Sequence, residues 1–107
     1  MAATGAATIV VVEQSAAMQE LIDQALRDNG DFLLITQNPL EALDLARRVH
    51  IDLLIIEFGD SGLALVDEVR SLQPDLRVLY LYGEGDEPVP VGLGELPARV
   101  EESLAER

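Results

Sequence analysis

Two glutamates stand at the ends of short apolar runs, where a carboxylate is placed to do chemistry. Glu13 follows the aliphatic residues 9–12, and Glu57 closes a run that begins after Asp52. Such runs predict strands buried on both faces of a parallel sheet. In open α/β sheets, ligands bind outside the carboxyl ends of the strands. Two carboxylates at strand ends therefore predict a site for a cation or a phosphoryl group.

The strands that would position these glutamates are short and spaced for helices between them. Predicted strands cover residues 8–12, 32–36, 53–57 and 77–82, with a short edge strand at 89–91. Alternation of strands and helices is typical of an α/β protein with a mostly parallel sheet and helices on both faces. Residues 83–90 are rich in Gly, Pro and acidic residues and predict no helix of useful length.

Four amphipathic helices are predicted between and after these strands. Ser15 caps the first, Asn38 with Pro39 begins the second, which runs to about Val49, and Asp60 or Ser61 caps the third. The fourth covers residues 96–105. The residues predicted to face inward are Met18, Leu21, Ile22, Ala25 and Leu26 in the first helix, Leu65, Val66, Val69 and Leu72 in the third, and Leu96, Val100 and Leu104 in the last.

Composition narrows the functions that this chain can have. It has 107 residues and a net charge of −13, and its one adjacent basic pair is Arg47-Arg48. This acidic balance disfavours direct binding to nucleic acid or to an anionic membrane. The absence of cysteine excludes disulfides, thiolate catalysis and zinc–thiolate sites. We expect a cytoplasmic protein in which residues 1–7 form a flexible arm and residues 8–107 form one domain.

Five local patterns, in this order and spacing, resemble the receiver domain of bacterial response regulators, the CheY-like family. They are Ile-Val-Val-Val-Glu-Gln at 9–14, Asn-Pro-Leu-Glu-Ala-Leu at 38–43, Asp-Leu-Leu-Ile-Ile-Glu at 52–57, Gly-Asp-Ser-Gly-Leu at 59–63 and Arg-Val-Leu-Tyr-Leu-Tyr-Gly at 77–83. The resemblance covers residues 8–107. It implies a flavodoxin-like, doubly wound, parallel five-stranded sheet, with the family's fourth helix shortened or missing here.

The resemblance also assigns roles to positions. A working receiver holds Mg²⁺ with an acidic pair and a phosphoacceptor Asp, and holds the phosphoryl group with a Thr or Ser after the fourth strand and a Lys after the fifth. In this chain the phosphoacceptor position is Glu57, the acidic pair is Glu13 and Gln14, and the hydroxyl switch position is Tyr82. No Lys lies near Val91, and the segment after the phosphoacceptor is shorter than in the family.

These departures argue against ordinary phosphotransfer. Gln14 keeps an oxygen but removes one charge from a Mg²⁺ site, although Glu13 and Glu57 remain a candidate pair for a cation. Glu57 is longer than Asp by one C–C bond, roughly 1.5 Å, and misplacement on that scale costs on the order of 100-fold in rate. Without the Lys, no cation balances the phosphoryl oxygens. An alternative role for Glu57 is that of a permanent partial mimic of the phosphorylated state.

Simpler explanations of the same residues stay open. Glu13 and Glu57 are also explained as solvated strand ends, and Asp60 is either an alternative phosphoacceptor or a helix cap. His50 is a lone histidine before a strand, and we expect a surface residue rather than a ligand or base. Residues 83–90 are either a partner-binding segment or a mobile loop.

We therefore predict a non-enzymatic pseudo-receiver that works by protein–protein interaction or dimerisation in bacterial signal transduction, without conventional Asp phosphorylation and without a cofactor. The implied partners are a histidine kinase, a fused effector domain or a second copy of the chain. The alternative is an atypical receiver that is phosphorylated, with Mg²⁺ bound by Glu13 and an acidic residue within 57–60. A small-molecule-binding domain is a third interpretation, from fold analogy alone.

Overall fold

Helices cover both faces of a single parallel sheet. The computed structural model describes residues 6–27, 30–57, 60–81 and 93–105. The strands are β1 (Thr8–Val12), β2 (Phe32–Thr36), β3 (Leu53–Glu57) and β4 (Arg77–Leu81). The helices are α1 (Ala16–Leu26), α2 (Pro39–Ala46), α3 (Asp60–Leu72) and α4 (Leu96–Ala105), the last preceded by a 3₁₀ turn at Leu93–Glu95.

The strand order places the ends of β1 and β3 side by side. The order is β2-β1-β3-β4 and every pairing is parallel. The register sets Val12 opposite both Thr36 and Ile56, so the carboxyl ends lie at one edge of the sheet. The doubly wound α/β prediction is confirmed. The predicted fifth strand at residues 89–91, and the shortened fourth helix of the family, lie outside the described residues.

Two apolar layers hold the helices against the sheet. Alternate residues of a strand point to opposite faces, so β1 and β3 contribute side chains to both layers. One layer joins the sheet to α2 and α3 and contains Val10, Val12, Ala42, Leu43, Leu54, Ile56, Leu65, Val66 and Val69. The other joins it to α1 and α4 and contains Ile9, Val11, Ile22, Leu26, Leu53, Ile55, Leu96 and Val100. This burial on both faces accounts for the continuous aliphatic runs in the sequence.

The boundaries predicted for α2 and α3 differ from the observed ones. α2 ends at Ala46 rather than near Val49, because Arg47 and Arg48 donate their N–H groups to Asp44 and Leu45 in tight turns. α3 begins at Asp60, so Asp60 and Ser61 lie in its first turn.

Two residues that were predicted to face inward are exposed. Leu21 is 46% exposed on α1, and Leu72 is 44% exposed at the last residue of α3. Each lies at the margin of the apolar face of its helix, and that face is wider than the part of the helix that contacts the sheet. Leu104 of α4, by contrast, packs against the apolar layer as predicted. In the part of the chain that the structure describes, no helix has both the length and the apolar character to span a membrane.

Candidate functional site

A cleft opens at the carboxyl edge of the sheet, where β1 and β3 end and α2 and α3 begin. Its volume is about 140 Å³, and its lining residues are Val12, Glu13, Gln14, Pro39, Ile56, Glu57, Ser61 and Gly62. A volume of this size has room for several water molecules or a small ion. The topology produces it, because the chain leaves β1 and β3 towards opposite faces of the sheet.

Glu13 is the buried carboxylate of this cleft and also a structural residue. It is 8% exposed, and its Oε2 accepts a hydrogen bond from the Ser15 N–H at 3.0 Å. Its backbone N–H donates to the Thr36 carbonyl at 2.9 Å, and its carbonyl accepts from Gln19 Nε2 at 2.7 Å. The Ser15 hydroxyl in turn caps α1 by accepting from the Met18 N–H at 3.3 Å. One carboxylate oxygen is therefore already used in the turn from β1 into α1.

Gln14 and Glu57 face solvent from neighbouring strand ends. Gln14 is the second residue after β1, and Glu57 is the last residue of β3, in register with Leu81 of β4. Both are exposed, unlike Glu13. The cleft therefore has one carboxylate held inside it and a second carboxylate at its mouth.

Gly62 allows α3 to approach the end of β3. A Cβ added there would lie 2.5 Å from the Glu57 carbonyl oxygen and 3.5 Å from Ile56 Cγ1. No real side chain tolerates the first of these distances, so the first turn of α3 rests on β3 only because residue 62 is glycine. The same contact fixes where Ser61 meets the cleft.

Thr36 and Asn38 fix the start of α2 and bring Pro39 to the cleft. Asn38 Oδ1 accepts from the Leu40 N–H at 2.9 Å, and the Asn38 N–H donates to Thr36 Oγ1 at 3.0 Å. The Thr36 hydroxyl also donates to the Glu41 carboxylate. The cap at Asn38 was predicted. In a capping box the Asn38 N–H would bond to Glu41 directly, whereas here the two are linked through the Thr36 hydroxyl.

Of the five residues predicted for the site, three are brought together, Asp60 is not among them, and Tyr82 is not tested. Glu13, Gln14 and Glu57 line one cleft. Asp60 is exposed at the start of α3 and is not among the described lining residues, and Tyr82 lies outside the described residues. Sequence reasoning missed the lining residues Pro39, Ser61 and Gly62. A glycine inside a helical pattern was the available signal, because glycine there costs stability unless close packing requires it.

His50 lies at the opposite edge of the sheet from the cleft. Its Nδ1 is 3.4 Å from Asp52 Oδ1 and its Nε2 is 3.6 Å from Asp75 Oδ2. Its side chain is 59% exposed. These distances agree with the surface role expected for it.

The donor set of the cleft falls short of the magnesium site that the resemblance implies. The acidic position next to Glu13 holds an amide, Gln14, and Glu13 has an oxygen already bonded to Ser15. Among residues 6–27, 30–57, 60–81 and 93–105, no group of three or more His, Cys, Asp or Glu side chains is arranged to hold a metal ion.

The parallel sheet has an acidic cleft between β1 and β3, where the strand order reverses, and this arrangement defines a flavodoxin-like α/β domain. Comparison with known proteins narrows the class of protein further. No protein-family model matches the chain. A response regulator receiver protein of Anaeromyxobacter sp. (strain Fw109-5) is 31% identical over 75 residues, which cover 67% of this chain. The chain spans about a third, 32%, of that relative's length.

Solved receiver structures superpose over nearly the whole chain. A response regulator from Thermotoga maritima matches with a TM-score of 0.79 and 26% identity, covering 94% of this chain and 98% of that one. The apo receiver domain of nitrogen regulatory protein C matches with a TM-score of 0.80 and 21% identity, covering 96% and 98%. The chain belongs to the receiver domain family of response regulators, the CheY-like domains of two-component signal transduction.

Proposed function

We propose that this domain is a pseudo-receiver, which acts in a bacterial cytoplasmic signalling pathway through protein contacts and takes up no phosphoryl group. The observation that carries the proposal is the charge of the cleft. Among the described residues, those that line it and can ionise are Glu13 and Glu57, both acidic. The 107-residue sequence contains no lysine at all, so the cation that a receiver sets against the phosphoryl oxygens has no counterpart in these residues.

Electrostatics makes this deficit costly for phosphoryl transfer. The charge that develops on a transferring phosphoryl group is stabilised by cations placed at its oxygens before the reaction. All seven basic residues of the chain are arginines, and no described arginine lines the cleft. Two carboxylates in a cleft that no described arginine lines repel a phosphoryl donor rather than bind it.

The hydrogen bonding of Glu13 supports the same proposal. A carboxylate that holds the Ser15 N–H at 3.0 Å and is 8% exposed stabilises the β1–α1 turn without any ligand. Its negative charge lies near the amino end of α1, where the helix dipole favours an anion. The residue is thus fully explained by the fold, and we propose that the domain needs no Mg²⁺ or other cofactor.

Protein contact is then the activity that remains for the domain. We propose that the partner is a histidine kinase, an effector domain fused to this one or a second copy of the chain. The domain itself has no enzymatic activity in this proposal. A net charge of −13 favours partners with a basic surface.

Intact mass spectrometry tests the proposal directly. The chain and Glu57→Asp are each incubated with Mg²⁺ and a small acyl phosphate, and gain of a phosphoryl group is measured. We expect no gain in the native chain. Gain in Glu57→Asp alone would show that the rest of the pocket still works and that Glu57 blocks or mimics phosphorylation. Gain in the native chain would overturn the proposal.

One observation favours the atypical, phosphorylated receiver as a second candidate. Glu13 and Glu57 line the same cleft from adjacent strands, as carboxylates sharing a cation would. Magnesium affinity separates the two candidates. If Mg²⁺ bound the folded state with a Kd of about 1 mM, then 10 mM Mg²⁺ would stabilise it by about 1.4 kcal/mol. We expect no stabilisation beyond a matched Na⁺ control.

A further inference from the structure

The outer edge of β2 exposes backbone groups that fit another strand. Among the described residues, β2 has a strand neighbour on one side only, β1. Phe32 donates its N–H to the Ala7 carbonyl at 2.8 Å, and the Thr36 carbonyl accepts from Glu13 at 2.9 Å. In a parallel ladder the residues that bond to one neighbour alternate with those that face the other way. The backbone N–H and C=O groups of Leu33 and Ile35 therefore point outward.

The side chains of β2 do nothing to protect this edge. Its sequence, Phe-Leu-Leu-Ile-Thr, contains no charge and no proline. Edge strands of soluble proteins are normally protected by charged residues, proline, bulges or a covering element. Phe32 is 66% exposed and Leu34 is 45% exposed. Both point to the α2 side of the sheet, where Leu34 and Ala42 line a groove of about 330 Å³.

We propose that β2 is a dimerisation strand, which pairs antiparallel with β2 of a second copy of this chain about a two-fold axis at Leu34. In this register Leu33 lies opposite Ile35 of the second copy, and Ile35 opposite its Leu33. The outward N–H and C=O groups of these residues then bond to one another, four hydrogen bonds in all. The sheets of the two copies become one continuous sheet. The proposal adds a surface to the interaction role above and does not depend on phosphoryl uptake.

A second copy fits this edge because the edge is complementary to itself. The outward backbone groups are placed symmetrically about Leu34, so a two-fold axis there leaves none of them unpaired. On the α2 side, Leu34 faces Leu34 of the second copy and Phe32 faces its Thr36, apolar and β-branched pairs that stabilise a sheet. No charge of β2 faces a like charge, and the nearby Arg48 is paired with Asp44 at 2.8 Å.

Charge and interface size determine how strong this dimer is. Each copy carries a net charge of −13, but repulsion between charges separated by more than about 8 Å is largely screened at 0.15 M salt. Stable interfaces bury about 1,200–2,000 Å², and one five-residue strand pair with two exposed apolar side chains on each copy buries less. We therefore expect a weak dimer that forms at high protein concentration and is strengthened by salt.

Sedimentation equilibrium tests the dimer from about 10 μM to about 1 mM, the range in which small interfaces associate, at low and at high NaCl. The mean mass should rise from the monomer's 11.6 kDa towards twice that value, and more steeply at high salt. Leu34→Lys places like charges opposite each other and should weaken association at least about 10-fold. The matched control is Leu72→Lys, since Leu72 is 44% exposed on α3 and Leu34 is 45% exposed; it should associate like the native chain.

Amide hydrogen exchange shows whether the edge itself is the interface. The Leu33 and Ile35 amides should become protected as concentration rises. A native chain that stays monomeric at about 1 mM, or amides that gain no protection, would overturn the proposal. Leu34→Lys that associates as strongly as the native chain would also overturn it. If circular dichroism shows that Leu34→Lys does not fold, Phe32→Thr takes its place, and the same result for that variant would overturn the proposal. Phosphoryl uptake is read from mass spectrometry instead, so the two proposals fail separately.

Discussion

The strands begin at one edge of the sheet, the amino edge, and end at the other, the carboxyl edge. The two contain similar polar residues and use them differently. At the amino edge, Asp31 Oδ1 accepts from the Ala7 N–H at 3.0 Å, and Asp52 Oδ2 accepts from the Thr8 N–H at 2.8 Å. These carboxylates take up backbone donors where β1 enters the sheet. At the carboxyl edge, Glu13 uses one oxygen in this way, and Glu57 stands exposed at the mouth of a cleft.

Gln73 shows how completely the amino edge is filled. It is 8% exposed, and its Oε1 accepts from the Ile51 N–H at 2.8 Å. Its Nε2 donates to the Ala46 carbonyl at 2.8 Å and to the Val49 carbonyl at 2.7 Å. One amide thus satisfies the carboxyl end of α2 and the start of β3 together. A carboxylate or amide beside a strand is therefore weak evidence for a functional site where it is already hydrogen-bonded to the backbone.

The largest effect on stability is expected for Gln73→Leu, at the amino edge. The substitution preserves bulk but leaves the Ile51 N–H and two carbonyls without their buried partner. Unsatisfied buried polar groups cost about 1–3 kcal/mol each, so we expect a loss of about 3 kcal/mol in the free energy of unfolding, measured with urea. Gln24→Leu, at an exposed position of α1, is the control and should change stability by less than about 0.5 kcal/mol. Equal losses would contradict the structural role of Gln73.

The carboxyl edge has one comparable packing constraint, at Gly62. Gly62→Ala puts a Cβ 2.5 Å from the Glu57 carbonyl oxygen, so α3 must move off β3. Overpacking of this kind costs about 1–3 kcal/mol, and we expect about 2 kcal/mol by chemical unfolding. In Gly94→Ala the added Cβ meets nothing within 4 Å, so this variant should retain native stability. A Gly62→Ala variant as stable as the native chain would show that the cleft wall yields easily.

Within the described residues, the sequence was sufficient to predict the four strands and four α-helices but not the contacts between them. Continuous aliphatic runs predicted β1 and β3 with the observed bounds, because burial on both faces leaves a direct pattern, and helical spacing of the buried residues did the same for α4. The end of α2 was predicted three residues late. The turn after α2 is held by Gln73, the residue that follows α3, and so depends on a tertiary contact that no local pattern reports.

For the candidate site, the sequence predicted which residues come together but not their hydrogen bonds or packing. Position at strand ends brought Glu13, Gln14 and Glu57 to one cleft, because the register of parallel strands aligns those ends. Whether a carboxylate there is already hydrogen-bonded depends on the geometry of the turn that follows the strand. The burial of Glu13 beneath the Ser15 N–H therefore could not be anticipated from spacing. The approach of α3 that requires Gly62 is likewise a tertiary contact.

A smaller effect is expected at Asp52, on the amino edge. Asp52→Ala removes the acceptor of the Thr8 N–H and the 3.4 Å contact with His50. We expect a loss of about 1.5 kcal/mol, the scale of a hydrogen bond to a charged group. Asp75→Ala removes only the exposed contact with His50 and should cost less than about 0.5 kcal/mol. If the two variants lose the same stability, the contact with His50 that both remove accounts for the loss, and the bond from the Thr8 N–H does not.

The smallest effects separate the two glutamates of the cleft. Glu13→Ala deletes the acceptor of the Ser15 N–H and should cost about 1 kcal/mol in thermal or urea unfolding. Glu57→Ala changes an exposed strand end and should stay within about 0.5 kcal/mol of the native chain. Both residues are glutamates at adjacent strand ends, so each is the other's control. A larger loss at Glu57 would mean that the fold depends on it as it does on Glu13. If only Glu13→Ala loses stability, the stability of the fold does not account for Glu57. Glu57 is then the first residue to substitute when a partner is tested.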